Sequence, residues 1–234
     1  MLNLALAVSG SGTSADFVTQ DAMEGSLYGK VGPRVLVASR ECQAVTRFAH
    51  NWPDVARRII SPRDYTNEEA YAKALGEIFD EFDINVYGQY GLTVKTPIAY
   101  LPKNVIYINQ HPVPRVFGGR YFKDLVTHYA VLAYMRLAGL YYMYSECITH
   151  EALVEYDTGK ILQRVRVPLC VGMTPEKAQE RTISKEWICQ VLALHRLVDE
   201  NFVLREEFPR LSHRLIPSLV EKAKQEALEH YGYA

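Results

Sequence analysis

The chain has 234 residues, with 48% hydrophobic and 23% charged, an ordinary balance for a globular chain long enough to bury a sizeable core. Net charge is −1, from 26 basic and 27 acidic residues, which argues against nucleic-acid or membrane-surface binding driven by bulk charge. The four scattered cysteines, Cys42, Cys147, Cys170 and Cys189, form no CxxC pair; this argues against a disulfide framework or zinc site and fits a reducing cytoplasm.

The opening "MLNLALAV" is apolar but lacks a basic leader segment, so it reads as a first strand at 2–8 and not as a signal peptide. "SGSGTS" (9–14) follows it, then a helix from Ala15. "RVLVAS" (34–39) is a second strand, "CQAVTRFAHNW" a helix, and "ARRIIS" a short third strand. Residues 67–82 give the clearest helix, with Ala70, Ala74, Leu75, Ile78 and Phe82 on one expected stripe. "INVYGQYG" and "VIYINQH" complete a βαβ succession, which predicts a parallel sheet with helices on both faces. A helix over 123–138 comes next; the apolar run that starts within it is broken by Arg136 and too short to span a bilayer. Two strand-like runs flank "EYDTG" (155–159), whose turn formers predict an antiparallel hairpin. Thr174 is a plausible N-cap ahead of Pro175, and the chain reads as helical and charged from there to Ala234. The expected fold is α/β and Rossmann-like: a mostly parallel twisted sheet flanked by helices, with a C-terminal hairpin and a helical tail. No linker or repeat divides it, so residues 1–234 read as one domain with an extension over about 190–234.

Three stretches carry candidate chemistry. The glycines of "SGSGTS" let backbone amides gather at a helix N-terminus, which suits a phosphate or is simply a tight turn; the full GxGxxG spacing fails at Ala15, and no P-loop lysine follows. "YINQHPVP" ends an apolar strand with Asn109 and His111 on one face and Gln110 on the other. An imidazole can take a proton or stabilise an oxyanion as a cation, and a carboxamide donates to the same oxygen without titrating. Hydrogen bonding at a strand end would also explain the pair, although strand C-termini of parallel sheets are where ligands bind. Asp157 before Thr158-Gly159 has turn geometry as its default role; as a catalytic group it needs a histidine or amine beside it. His128 and His150, taken singly, are supporting residues.

The order of these elements and their intervals resemble the folate-dependent formyltransferases, most closely those acting on glycinamide ribonucleotide. The resemblance runs from residue 1 to about 190 and is carried by "ALAVSGSGTSADFV", "INQHPVPRVFGGRYFKDLVTHYAVL" and "ITHEALVEYDTGKILQRVRVPLCVGMTPEKAQERTISKEW". It implies transfer of a formyl group from 10-formyltetrahydrofolate to an amine through a tetrahedral oxyanion, with no metal. Asn109, His111 and Asp157 match the family's catalytic trio: Asn109 and protonated His111 would hold the oxyanion, and Asp157 would orient His111 and help move the amine's proton. Gly12, Thr13 and Ser14 would bind the acceptor's phosphate, with Gln110 and Pro112 nearby and Glu186 on its ribose. Folate would lie against the backbone around Tyr90, Gly91, Leu92 and Thr93 and the loop of Leu153, Val154, Glu155, Tyr156 and Asp157. The implied partners are a phosphorylated amine and folate, with no nucleic acid or membrane, in a cytoplasmic protein that could pair as a homodimer.

The sequence departs from the family's usual pattern at Val113–Phe117, where Ser-Leu-Leu-Pro is usual, and at Gly91 and Asn67-Glu68, where arginine-bearing motifs are. Two other readings therefore stay open: a formyltransferase for another amine, such as a nucleotide-linked amino sugar, and a ligand-binding homologue without catalysis. The helical tail reads as packing on the domain or on a partner subunit.

Overall fold

In the computed structural model, strand β1 (Leu2–Val8) runs through the middle of a seven-stranded sheet. The structure describes residues 1–119, 121–122, 124–155, 157–199 and 215–233. From β1 the chain passes through α1 (Thr13–Glu24), β2 (Val31–Ala38), α2 (Gln43–Asn51), β3 (Ala56–Ile59) and α3 (Glu68–Glu81). It then crosses to β4 (Val86–Gln89) and β5 (Ile106–His111) on the other side of β1. Helix α4 (Asp124–Leu137), strands β6 (Tyr142–Glu151) and β7 (Ile161–Cys170), and helices α5 (Pro175–Val198) and α6 (Pro217–His230) complete it. Strand order is β3-β2-β1-β4-β5-β6-β7, parallel through β5, with β6 antiparallel to both of its neighbours. The order reverses between β1 and β4, the kind of switch point beside which open α/β sheets take ligands.

The alternation of β1 sorts its side chains between two cores. Leu4, Leu6 and Val8 join Ala15, Val18 and Leu194 on one face, while Ala5 and Ala7 join Tyr71, Leu75, Phe79 and Tyr87 on the other. Burying each larger apolar side chain contributes roughly 1.5–3 kcal/mol, so such pairs of faces hold the sheet's register. A third cluster gathers Phe117, Tyr134, Cys147, Cys189, Val220, Ala223 and Ala227 where α4, α5 and α6 meet. Helix starts follow their capping chemistry: Asn67 Oδ1 accepts from Ala70 N–H at 2.8 Å, and Thr174 Oγ1 accepts from Lys177 N–H ahead of Pro175.

Several expectations change. The stripe on α3 that is buried consists of Tyr71, Ala72, Leu75, Ile78 and Phe79, while Ala70, Ala74 and Phe82 sit at its margins. A helix's face is set by what packs on it, and the aromatic cluster of Tyr71, Phe79, Tyr87 and Tyr107 turns it. Strands β4 and β5 are parallel, yet the chain between them carries no α-helix, only a 3-10 turn at Ile98–Tyr100. Helix α1 starts at Thr13, two residues before the expected Ala15, because Gly12 caps it in a left-handed conformation. Helix α5 continues to Val198; the expected helix beyond it falls partly on residues 200–214, outside the described residues. Helix α6 packs on α4 of the same chain through Val220, Ala223 and Ala227, and its Glu226 meets both Tyr129 and Arg136. Among the described residues no helix is long and apolar enough to cross a membrane.

Candidate active site

The carboxyl end of β5 opens into a cleft of about 320 Å³. Register on both sides places the strand's last residues: Asn109 lies opposite Gln89 of β4 and His150 of β6, and His111 lies opposite Ile148. Pro112 then ends the pairing, as a residue without an N–H must. Of the residues expected to act, Asn109, Gln110, His111, Pro112, His128, His150, Leu153, Val154, Glu155, Asp157, Glu186, Gly91, Leu92 and Thr93 all line this cleft.

Asp157 is the hub. Its Oδ2 stands 3.7 Å from His111 Nε2 and its Oδ1 3.4 Å from His150 Nε2, so one carboxylate serves two buried imidazoles. It reaches them from a turn residue at φ 56, a left-handed conformation that aspartate tolerates better than most residues. Burial pushes the Asp157 carboxyl up, but the bond to His150, the two imidazoles' charge and the Gly119 N–H outweigh it and hold it below the usual range.

Each imidazole is oriented through its other nitrogen. His111 Nδ1–H donates to the Val113 carbonyl at 2.8 Å, and His150 Nδ1–H donates to the Glu151 carbonyl at 2.7 Å. In both rings Nε2 is thereby turned toward Asp157. Asn109 Nδ2 lies 3.5 Å from His150 Nε2, which places the amide beside the same pair. Burial lowers the pKa of His111, against the raising pull of Asp157 and Val113. Desolvation thus pulls His111 toward its neutral form, while Asp157 pulls it toward the cation. His128, on α4, is held neutral too, with a pKa of about 4 from burial and the neighbouring His111.

On the other face of β5, Gln110 Nε2 donates to Glu186 Oε1 at 2.8 Å while Gln110 Oε1 is buried without a partner. Burial pushes the Glu186 carboxyl up to about 7, the Gln110 bond opposing it. An acceptor carboxylate and an idle amide oxygen facing a cleft suit a ligand that brings hydroxyl hydrogens.

Two groups that sequence reasoning missed shape the site. A Cβ on Gly118 would sit 2.5 Å from Asp157 Oδ2 and 2.8 Å from His111 Nε2, so only glycine fits behind that pair. Arg115 Nη1 donates to the carbonyls of Asp157 at 3.1 Å and Gly159 at 2.6 Å, fastening the loop to β5's exit. The "GG" after the strand was visible, but its reason is a tertiary approach.

Other expected residues lie elsewhere. Tyr90 is a correction: its side chain is in the core beside Val8 and Val86, and its N–H donates to the Ala7 carbonyl, so it does not line the cleft. Gly12, Thr13 and Ser14 form the start of α1, outside the lining residues; a Cβ on Gly12 would meet Ala44 Cβ at 2.5 Å, so that glycine also answers to packing. No side chain caps α1 at Gly12, which leaves its first amides to other acceptors. The loop is linked to the cleft by Ser9, whose hydroxyl accepts from Thr93 N–H at 2.9 Å. Tyr156 lies outside the described residues. Among the described residues no group of three or more histidines, cysteines or carboxylates could hold a metal ion.

No protein-family model matches the chain. It is 25% identical over 209 residues to the chloroplastic phosphoribosylglycinamide formyltransferase of Vigna unguiculata, covering 87% of this chain and 63% of that protein. The chain thus spans less than two thirds of that relative's length. The Arabidopsis thaliana counterpart is 25% identical over 211 residues, covering 87% of this chain and 68% of the other. In fold, the chain is similar to glycinamide ribonucleotide transformylase 1 from Symbiobacterium toebii, with TM-score 0.69, 19% identity, and 88% and 92% of the two chains covered. In sequence over most of its length, and in fold, the chain is similar to the phosphoribosylglycinamide formyltransferases.

Proposed function

We propose that this protein transfers a formyl group from 10-formyltetrahydrofolate to the amine of glycinamide ribonucleotide. The observation that carries the reading is Asp157 set between His111 and His150 at the end of β5, with Asn109 alongside. In our reading Asn109 Nδ2–H donates to the formyl oxygen as the amine's lone pair adds to the formyl carbon and negative charge gathers on that oxygen. Neutral His111 takes the proton the amine sheds, and the carboxylate of Asp157 stabilises the imidazolium that results. The carbon–nitrogen bond to the folate N10 then breaks, the proton passes to that nitrogen, and the formylated amine and tetrahydrofolate leave.

The remaining lining fits the two substrates. Exposed Leu153 and Val154, with Ile98, offer apolar lips to a flat ring system. Glu186 and the free oxygen of Gln110 would accept hydrogens from ribose hydroxyls, and the uncapped start of α1 near Gly12, Thr13 and Ser14 would take the phosphate. We read the whole chain as one domain working in a reducing compartment such as the cytosol, which suits four free cysteines. The test mixes protein, 10-formyltetrahydrofolate and glycinamide ribonucleotide and follows tetrahydrofolate release beside other amines. Product with glycinamide ribonucleotide alone is expected; folate binding with no product at millimolar acceptor would overturn the choice of amine.

A further inference from the structure

Helix α6 reaches the mouth of the cleft. Lys224 Nζ sits 4.9 Å above the ring centroid of Phe122, which itself lines the cleft. Tyr233, just after α6, stacks on Tyr121 with centroids 5.6 Å apart and planes 23° from parallel. Val220, Ala223 and Ala227 of α6 share a buried cluster with Phe117, at the other end of the same turn.

Between Phe117 and Phe122 come the two glycines that touch the hub. Gly119 offers its N–H to the Asp157 carboxylate, and Gly118 leaves the space that Asp157 and His111 fill. Gly119 takes φ +127, a conformation open to little but glycine. Consecutive glycines carry the largest entropy cost of ordering, so a turn built on buried Gly118 and exposed Gly119 needs outside contacts to keep one shape. Thr127 Oγ1 donates to the Phe117 carbonyl and Tyr134 packs edge-on against its ring, and α6 with the residues after it adds contacts at Phe117, Tyr121 and Phe122.

We propose that α6, through Lys224 and Tyr233, is a positioning element of the active site, holding the 117–122 turn in the form that fixes Asp157 against His111. Its effect on turnover rests on the formyl-transfer reading; its effect on the Asp157–His111 geometry does not. Neither Lys224 nor Tyr233 lines the cleft, so they act through Phe122, Tyr121 and the two glycines.

The test uses the full chain with Tyr233→Ala, Lys224→Met and the double variant, beside Tyr233→Phe, Lys224→Arg and the exposed control Tyr141→Ala. Two quantities are read apart from stability: kcat against KM, and the titration of the His111 and His150 imidazoles by NMR. Asp157, His150, His128 and Arg115 face His111, so its titration reports whether the carboxylate has moved. The double variant is expected to lose about five- to twentyfold in kcat with both KM values within about threefold, as displacement of a reacting group does. Its His111 titration should shift, melting should change little, and the Phe and Arg variants should behave as wild type. Unchanged kcat and unchanged imidazole titration would overturn the proposal, as would activity falling only in step with melting temperature. If wild type makes no formylated product, the titration decides alone: no shift in the double variant refutes the positioning role.

Discussion

Replacing Gly118 by alanine probes the site with one methyl group. Its Cβ would stand 2.5 Å from Asp157 Oδ2 and 2.8 Å from His111 Nε2, where ordinary contact begins at 3.4 Å. The carboxylate must therefore retreat by about 1 Å, a displacement that can cost on the order of 10²-fold when it misplaces a reacting group. The electrostatic share can be worked separately. Lengthening the 3.7 Å pair by that amount lowers its attraction by about 1 kcal/mol at an effective dielectric of about 20, or roughly fivefold in rate. Gly118→Ala should thus turn over about 10- to 100-fold more slowly, with KM for the acceptor little changed because the methyl stands on the His111 side of β5. The assay is steady-state release of tetrahydrofolate, with thermal melting in parallel. Gly76→Ala is the control: a Cβ there meets nothing within 4 Å inside α3, so activity should hold and stability rise by up to ~1 kcal/mol. A Gly118→Ala enzyme within about twofold of wild-type kcat would refute the assignment of Asp157 to the reacting centre.

Asn109→Ala should lower turnover by about 10²–10³-fold in a folded protein, as loss of an oxyanion donor does, and His111→Ala by about 10²–10⁴-fold, as loss of a general base does; a fast His111→Ala enzyme would refute the trio. Glu186 titrates at about 7 instead of its ordinary 4.5, so its burial costs nothing below about pH 4.5, progressively more as pH rises, and ~3 kcal/mol above the folded value. Glu186→Gln should accordingly flatten the melting profile between about pH 5 and 8 and gain most at the alkaline end; identical profiles would show that the carboxyl titrates normally. Gly12→Ala collides with Ala44 and sits at φ +67, so it should cost about 1–3 kcal/mol in denaturant melts before it says anything of phosphate. A fully stable Gly12→Ala protein would contradict that packing.

What was legible in the sequence was whatever local chemistry decides. The alternation around Asn109 and His111, the proline after them and the Asp-Thr-Gly turn were legible because strand period and turn geometry are local rules, and the three side chains meet at the carboxyl end of β5. What was not legible depends on partners far along the chain. Gly118 is needed because Asp157 and His111 converge behind it, and Arg115 matters because the loop it latches lies 42 residues on. Tyr90 sits at a strand end like Asn109 but turns inward, since the core beside β1 has room for its ring. The balance at His111 could not be read from residue type either: burial lowers its pKa, while the carboxylate beside it pulls the other way.

The departures from the family pattern acquire a physical shape in this cleft. Lys95 is the one lysine or arginine among its described lining residues, against Asp124, Glu155, Asp157 and Glu186, and its Nζ lies 3.4 Å from Glu68. Side-chain cations therefore supply little of the attraction an anionic substrate needs, and backbone amides must supply more. In the segment after β4, the N–H of Tyr90 is spent on Ala7 and that of Thr93 on Ser9, which makes Gly91 and Leu92 the candidate donors. Gly91 holds φ +77 with nothing within 4 Å of a Cβ, so an arginine there would find space yet meet backbone strain. Restoring the family's arginine is thus no simple gain: its charge would attract the ligand while its backbone preference pulls away the peptide that offers the amides. Under the proposed reading, a ligand held by the amides at Gly91 and Leu92 gives this position reason to keep glycine.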